Sequence, residues 1–207
     1  MTGVQTCALP ISSLVAAPLF STTGALPAQA SGGGIIYGLP TSPTRRVAWT
    51  IDDGFSLEGL QAYCALLNDH PELRMTFFVL RSAAAWRKVA PDLKPFIETG
   101  RVQIGNHSST HPNLQHMPNK LIQKELLDCH HFIQDVFGVN ELPIFRPPYG
   151  AIDDRVVKAA ADVGFTYPIL WNGTFASGSG VKFLIAGHRL VDVHHRFAIS
   201  HYRTDWF

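Results

Sequence analysis

The stretch Val47-Ala48-Trp49-Thr50-Ile51-Asp52-Asp53-Gly54 begins as an apolar run and ends in two adjacent carboxylates and a glycine. A short apolar run that is closed by turn residues is typical of a buried strand. Neighbouring side chains on a strand point to opposite faces, so we expect Asp52 and Asp53 to have different roles. Taken alone, Asp-Asp-Gly is more typical of a strand-end turn, in which an Asp side chain caps backbone amides.

Short apolar runs and helical patterns alternate along the rest of the chain, which predicts an α/β fold with a parallel sheet covered by helices. After the first run at residues 47–51, the runs lie at residues 75–80, 102–105, 144–146 and 167–171, with later candidates at 181–186 and 197–201. Apolar residues recur at helical spacing from Leu57 to Leu67, from Ile122 to Val136 and from Val156 to Val163.

A second polar cluster, His107-Ser108-Ser109-Thr110-His111, follows the run at residues 102–105. The two imidazoles are four residues apart, a separation that can bring both to one cation. Zinc sites often take three ligands from His and Asp and leave a fourth position for water. One carboxylate of residues 52–53 can complete such a site, and the other can act as a base. Alternatively, these are two surface histidines, or one is satisfied in the core.

A third cluster, Arg146-Pro147-Pro148-Tyr149-Gly150, closes another strand-like segment. An arginine near the two carboxylates could hold one of them in place and keep it ionised. The two prolines stiffen the loop, although the same residues are also compatible with a polyproline-like turn. Together, the three clusters indicate the active site of a hydrolase.

In order and spacing, these clusters resemble the motifs of the polysaccharide deacetylase family, whose shared unit is the NodB homology domain. The family's Thr-Phe-Asp-Asp-Gly motif is matched at residues 50–54, and its His-Ser/Thr-x-x-His motif at residues 107–111. Its Arg-x-Pro-Tyr motif is matched at residues 146–149, and residues 75–79 resemble its Ala-Thr-Phe-Phe-Val strand. The resemblance covers roughly residues 45–171 and implies a distorted (β/α) barrel with fewer than the standard eight strands.

The resemblance also implies a metal site. Asp53, His107 and His111 would be the ligands. Independently of the resemblance, Asn106 and Ser108 lie on either side of His107 and could fix the ring orientations through hydrogen bonds. Zinc is the expected divalent metal, although mixed oxygen and nitrogen ligation also suits cobalt, manganese or nickel.

By the same resemblance, Asp52 would be the general base, held by Arg146, and the backbone N–H of Tyr149 would bind the developing oxyanion. The reaction implied is removal of N-acetyl, or alternatively O-acetyl, groups from an acetylated glycan such as peptidoglycan or a chitin-like oligomer. Two alternatives remain open: hydrolysis of a cyclic amide, which relatives with this barrel catalyse, and a non-catalytic glycan-binding module.

The remaining two family motifs are imperfect in this chain. Residues 171–175 keep the leading Trp of the fourth motif but lack its carboxylate. The fifth motif, Leu-x-His, supplies the general acid, and Ile199-Ser200-His201 is the nearest match. His188, His194 and His195 are the other candidates for this role.

The composition sets further bounds on the protein. The chain has 207 residues, enough for one domain, and 17 basic against 16 acidic residues, so nothing indicates nucleic acid or an anionic membrane as partner. We expect a monomer without a membrane-spanning segment. Cys64 and Cys129 fall on apolar helix faces and are predicted to be buried free thiols, and Cys7 is given no role.

Both ends of the chain are unusual. Residues 1–11 resemble the translation of a sequencing adapter, and residues 12–30 resemble the remnant of a secretion signal, which predicts an exported protein in the periplasm, the cell envelope or the medium. Residues 31–44 are rich in Gly, Ser and Pro and are predicted to form a linker. Residues 45–207 would then be the catalytic domain, truncated or unreliable in its last part.

Overall fold

The computed structural model describes residues 34–40, 46–141, 143–174 and 181–185. The strands in these ranges are β1 (Val47–Asp53), β2 (Met75–Val79), β3 (Val102–Asn106), β4 (Ile144–Phe145), β5 (Tyr167–Pro168), β6 (Gly173–Thr174) and β7 (Val181–Ile185). The helices are α1 (Leu57–Asp69), α2 (Ala85–Glu98), α3 (Asn119–Phe137) and α4 (Asp154–Ala161), and two 3₁₀ turns lie at Leu114–His116 and Pro148–Gly150.

All seven strands belong to one sheet in the order β5-β4-β3-β2-β1-β7-β6. Strands β1 to β5 pair in parallel, and helices connect β1 to β2, β2 to β3, β3 to β4 and β4 to β5. This curled sheet with its helices confirms the predicted α/β fold. Strand β7 was expected from its apolar run, but its direction was not: it pairs antiparallel with both β1 and β6.

Local signals in the sequence place the ends of three helices. The Ser56 side chain caps α1 by accepting a hydrogen bond from the Gly59 N–H at 3.0 Å. The Asp153 side chain caps α4 by accepting from the Val156 N–H at 2.8 Å. Helix α3 ends at Gly138, whose φ of 66° is a conformation that glycine adopts without steric cost. Helices α1, α3 and α4 confirm the three helices that the apolar spacing predicts.

Helix α2 was not predicted, and it contains two prolines, Pro91 and Pro95. A proline in a helix interior removes a hydrogen bond and clashes with the preceding turn. Here tertiary packing outweighs that local preference, since the side chains of Trp86, Val89 and Leu93 are completely buried. The buried face of α2 therefore compensates for the two prolines.

The core is arranged on both sides of the sheet. The largest buried cluster joins α1 and α2 to β1, β2 and β3, and a second cluster lies between α3, α4 and β4. A third, smaller cluster includes Phe78 and Ile169, and two residues of the predicted linker, Ile36 and Leu39, pack against it. Ile36 also forms a parallel bridge with Ile169 beyond β5, so part of the Gly/Ser/Pro-rich segment is attached to the sheet.

Two further predictions, one about the cysteine thiols and one about membrane-spanning helices, concern residues that the structure describes. Cys64 and Cys129 are free and buried, as predicted. Burial raises the pKa of the Cys64 thiol to about 11, with a contribution from Asp92, and burial also raises the pKa of Cys129. In the described ranges, no helix combines the length and apolar character that a membrane crossing needs. The predictions for Cys7 and for residues 1–30 lie outside the described residues.

Candidate metal and catalytic site

The candidate site lies at the carboxyl ends of the parallel strands. Strand β1 ends at Asp53, β3 ends at Asn106 directly before His107, and β4 ends at Phe145 directly before Arg146. Because parallel strands in a (β/α) fold direct their carboxyl ends to the same edge, three polar clusters that are far apart in sequence meet there.

Asp53, His107 and His111 converge, as predicted. Each offers one ligand atom, and these atoms lie within 4.8 Å of one another, the one such group in the described part of the chain. Asp53 Oδ1 lies 3.5 Å from His107 Nε2 and 3.3 Å from His111 Nε2. This buried carboxylate oxygen has no hydrogen-bond partner. Buried polar atoms are normally satisfied, so an oxygen that faces two imidazole nitrogens without bonding fits a cation ligand.

The ring of His107 is held by a backbone carbonyl. Its Nδ1 lies 2.7 Å from the Arg146 carbonyl oxygen. Because a carbonyl only accepts, the proton of a neutral ring must sit on Nδ1, which leaves the Nε2 lone pair facing Asp53. The expected ring contacts from Asn106 and Ser108 are not what the structure shows. Asn106 Oδ1 accepts from the Ser108 N–H at 2.9 Å, and Ser108 Oγ accepts from the His111 N–H at 3.1 Å, so both fix the loop backbone.

Backbone strain is concentrated at this site. Among the described residues, the non-glycine residues with positive φ are Asp53 (67°), Ser108 (73°), His111 (62°) and Tyr149 (61°). A left-handed conformation is unfavourable for such residues by about 1–3 kcal/mol each and persists only where the surroundings enforce it. All four belong to the three motifs: three lie in the segments that carry the candidate metal ligands, and Tyr149 lies in the segment that follows Arg146.

Asp52 forms a buried ion pair with Arg146. Arg146 Nη1 donates to Asp52 Oδ1 at 2.6 Å and to Thr50 Oγ1 at 2.7 Å, and its other nitrogens donate to the carbonyls of Ile169 and Leu170, each at 3.1 Å. The guanidinium is fully buried, and its carbon lies 4.1 Å from the centre of the Phe78 ring. Arg146 therefore fixes Asp52 next to the candidate metal ligands while connecting β4 to β1 and to the end of β5.

Charge and burial shift the pKa values of several site groups. Burial raises the pKa of Asp53, but the attraction of His107, His111 and Lys182 outweighs this effect and lowers it overall. Burial, followed by repulsion from His107, lowers the pKa of His111. Both shifts favour an anionic carboxylate beside a neutral imidazole, the protonation states that bind a cation. Burial lowers the pKa of Arg146 against the opposing effect of Asp52, and arginine remains protonated in proteins.

Tyr149 lies at the rim of the site. Its ring is 4.6 Å from the His111 ring in an edge-on arrangement, and the residue is 68% exposed. The following glycine, Gly150, has a φ of 69°, and a Cβ there would lie 3.1 Å from the Trp171 ring. Trp171 therefore packs against the turn that carries Tyr149.

The fourth and fifth motifs are only partly described. The Trp171 ring lies 5.7 Å from the Arg146 guanidinium carbon and 5.2 Å from Lys182 Nζ, so the Trp of the fourth motif does lie at the site. The predicted general acid His201, and its rivals His188, His194 and His195, lie outside the described residues.

Several residues that contact the site were not predicted, among them Trp86 and Glu125. Trp86 of α2 donates its indole N–H to the Asp53 carbonyl oxygen at 2.6 Å, and its ring occupies the space that a Cβ at Gly54 would need. Glu125 of α3 accepts hydrogen bonds from the backbone of Ser109 and Thr110. Both lie at least 15 residues from the motif residues they contact, and no local pattern marks them.

The family model for polysaccharide deacetylase matches residues 40–168, well over half of the chain. The chain belongs to the polysaccharide deacetylase family. The matched region contains all three motifs and every metal-ligand candidate, as the sequence motifs predicted.

Several relatives of this family resemble the chain. Chitin deacetylase 1 from Cryptococcus neoformans var. grubii is 34% identical over 129 residues, covering 61% of this chain and 26% of that protein. A solved peptidoglycan N-acetylglucosamine deacetylase superposes with a TM-score of 0.53 at 26% identity, covering 66% of this chain and 60% of its own.

A solved pseudoenzyme of the CE4 family from Bacillus anthracis superposes with a TM-score of 0.50 at 27% identity, covering 59% of this chain and 41% of its own. A mutant of it has restored enzymatic activity. The chain spans 26% to 56% of the length of three curated relatives it matches.

Proposed function

We propose that this chain is a metal-dependent hydrolase that removes N-acetyl groups from a glycan. The observation that carries the proposal is the convergence of Asp53, His107 and His111 beside the buried Asp52–Arg146 pair. Because the family includes chitin and peptidoglycan deacetylases, chitin-like oligomers and peptidoglycan are the first substrates to test. We further propose that the protein acts as a monomer outside the cytoplasm, where such glycans are found.

Asp53, His107 and His111 would hold the metal, and zinc is the expected ion because it favours tetrahedral sites with imidazole and carboxylate ligands. When bound, zinc supplies Lewis acidity that polarises a carbonyl group and acidifies water. Two features support this assignment: the Arg146 carbonyl fixes the ring of His107, and the surroundings enforce left-handed backbone conformations at Asp53 and His111.

Asp52 would act as the general base. Arg146 engages Asp52 Oδ1, and the proposal gives the second carboxylate oxygen the task of accepting a proton from the attacking water. The guanidinium keeps the carboxylate oriented and compensates its negative charge in a buried position. Arg146 thus acts through Asp52, and it is a positioning residue.

The oxyanion that forms at the acetamide carbon would accept a hydrogen bond from the Tyr149 backbone N–H. The left-handed conformation of Tyr149, with Trp171 packed against the next residue, holds this turn in one shape. His201 remains our candidate for the acid that protonates the leaving amine.

An acetate-release assay tests the proposal. Purified protein is stripped with a chelator, reloaded with zinc, and incubated with N-acetylglucosamine oligomers, peptidoglycan, acetylated xylan and a cyclic imide. We expect acetate from one of the first two substrates only after reloading. Release from xylan alone would indicate an O-acetyl esterase, and turnover of the imide alone would indicate a cyclic-amide hydrolase.

A second candidate is a glycan-binding module without turnover. The observation that favours it is the absence of a carboxylate in the described part of the fourth motif, residues 171–174, and the CE4 pseudoenzyme from Bacillus anthracis shows that the fold exists without activity. Binding of N-acetylglucosamine oligomers by calorimetry, with no acetate released at any metal loading, would select this alternative.

A further inference from the structure

The segment that carries both histidines, residues 107–111, is here called the histidine loop. It follows β3 and contains two left-handed residues, Ser108 with a φ of 73° and His111 with a φ of 62°. Neither is a glycine, so the loop conformation is not one the local sequence prefers. Contacts from other parts of the fold must therefore hold it.

One side of the loop is held by the segment after β2. The Arg81 N–H donates to the Ser108 carbonyl at 3.2 Å, and the Ser82 N–H donates to the Ser109 carbonyl at 3.0 Å. Arg81 also donates from its side chain to Ser109 Oγ at 3.2 Å. These contacts fix the carbonyl groups of the loop.

The amides of Ser109 and Thr110 in the loop are held by a single carboxylate. Glu125 Oε2 accepts from the Ser109 N–H at 2.9 Å and from the Thr110 N–H at 2.7 Å. Glu125 Oε1 accepts from Thr110 Oγ1 at 2.8 Å. Hydrogen bonds to a carboxylate are shorter and stronger than those between neutral groups. Glu125 belongs to the 19-residue helix α3, so it connects the loop to a rigid element.

We propose that Glu125 is a positioning residue that holds the histidine loop in the conformation that presents His107 and His111 to one cation. The two residues it binds lie directly between these histidines, and the strain at Ser108 and His111 lies on either side of them. Without the carboxylate, the amides of Ser109 and Thr110 lose their acceptor, and the separation of the two imidazoles is no longer fixed. This inference rests on the metal site of the proposed function and adds the group that shapes it.

The test is cation binding by the full chain after treatment with a chelator. Zinc affinity is measured by competition with a chromophoric chelator, and the ligand geometry is followed by the visible absorption of added cobalt. We expect Glu125→Gln to weaken zinc binding by about 10-fold and Glu125→Ala by about 100-fold, the range for residues that orient metal ligands. The cobalt band should also change in shape in both variants.

The matched control is Asp128→Asn. Asp128 lies one turn further along α3, and its carboxylate pairs with Lys124 at 2.6 Å. This change removes the same charge from the same helix, so zinc affinity should stay within about two-fold of the wild type if orientation is what Glu125 supplies. Thermal unfolding without metal separates stability from binding, because a purely structural Glu125 would lower stability and leave the affinity of the folded protein unchanged.

Zinc affinities within two-fold of the wild type in both Glu125 variants would overturn the inference. If Glu125→Ala does not fold, the near-isosteric Glu125→Gln decides the question. A wild-type protein that binds neither ion would overturn the metal site and the inference together. The expected loss of affinity in a protein that deacetylates no glycan would overturn the proposed function and support the role of Glu125.

Discussion

Asp52 and Asp53 are neighbours in the chain but face different partners. Asp53 Oδ1 faces two imidazoles, whereas Asp52 Oδ1 accepts a hydrogen bond from Arg146. We therefore expect Asp53→Ala to abolish zinc binding. Asp52→Asn keeps the shape of the side chain and an acceptor for Arg146, so it should retain zinc and lower kcat by about 10²–10⁴-fold, the usual effect of losing a general base. Zinc content and acetate release check this, and equal metal loss in both variants would contradict it.

At the residue scale, the sequence alone predicts those features of the site that depend on local geometry. The alternation of side chains along a strand separates Asp52 from Asp53, and the spacing of His107 and His111 allows them to share a cation. The partners that hold these residues were not predictable. Trp86 and Glu125 reach the site only because α2 and α3 pack against the sheet, and their positions in the sequence carry no mark of that packing.

At the scale of elements, α2 is connected to β1 through Trp86. Its indole N–H donates to the Asp53 carbonyl, and its ring packs between Phe77 and Phe137. In Trp86→Phe an aromatic ring remains, but the partly buried Asp53 carbonyl loses its donor. We expect a loss of about 1–3 kcal/mol in the free energy of unfolding, the cost of an unsatisfied buried group, together with weaker zinc binding because Asp53 is less firmly held.

Urea unfolding and zinc titration measure these two effects. The control is Trp49→Phe, the same substitution on β1 at a partly buried position that packs against the largest core cluster. It should lower stability without changing zinc affinity. An unchanged zinc affinity in Trp86→Phe would show that the hydrogen bond from Trp86 to Asp53 stabilises the fold and does not act on the site.

The same packing explains which elements the sequence revealed. Helices α1, α3 and α4 carry regular apolar spacing and local caps, so their patterns were readable. Helix α2 was hidden by its two prolines, which only the burial of its apolar face outweighs. The direction of β7 depends on its pairing with β1, a contact between residues more than 120 positions apart that no local pattern encodes.

At the scale of the whole molecule, a buried carboxylate makes stability depend on pH. Glu141 follows the end of α3, and only 1% of its side chain is exposed. Asn106 Nδ2 donates to its Oε1 at 3.2 Å, and His130 Nδ1 lies 3.0 Å from its Oε2 without the alignment of a hydrogen bond. Burial raises the pKa of Glu141 above its usual 4.5, against the opposing effects of Asn106 and His130.

A raised pKa means that the folded protein binds this proton more tightly than the unfolded chain does. The contribution of Glu141 to stability is therefore present below about pH 4.5 and is lost as the pH rises from there through its raised value. His111, whose pKa is lowered, acts in the opposite sense. Its contribution to stability is present above pH 6.5 and is lost as the pH falls through its lowered pKa. The two effects are opposite in sign, and both are measured with the metal removed so that His111 is free to titrate.

We therefore expect Glu141→Gln, which keeps an oxygen acceptor for Asn106, to gain stability relative to the wild type as the pH rises above 4.5. Urea unfolding in the presence of a chelator, at a series of pH values from that point upward, measures the difference. The control is Glu58→Gln at an exposed position in the first turn of α1, whose difference from the wild type should not follow the same course. A difference between Glu141→Gln and the wild type that stays constant with pH would mean that Glu141 does not change its protonation on folding.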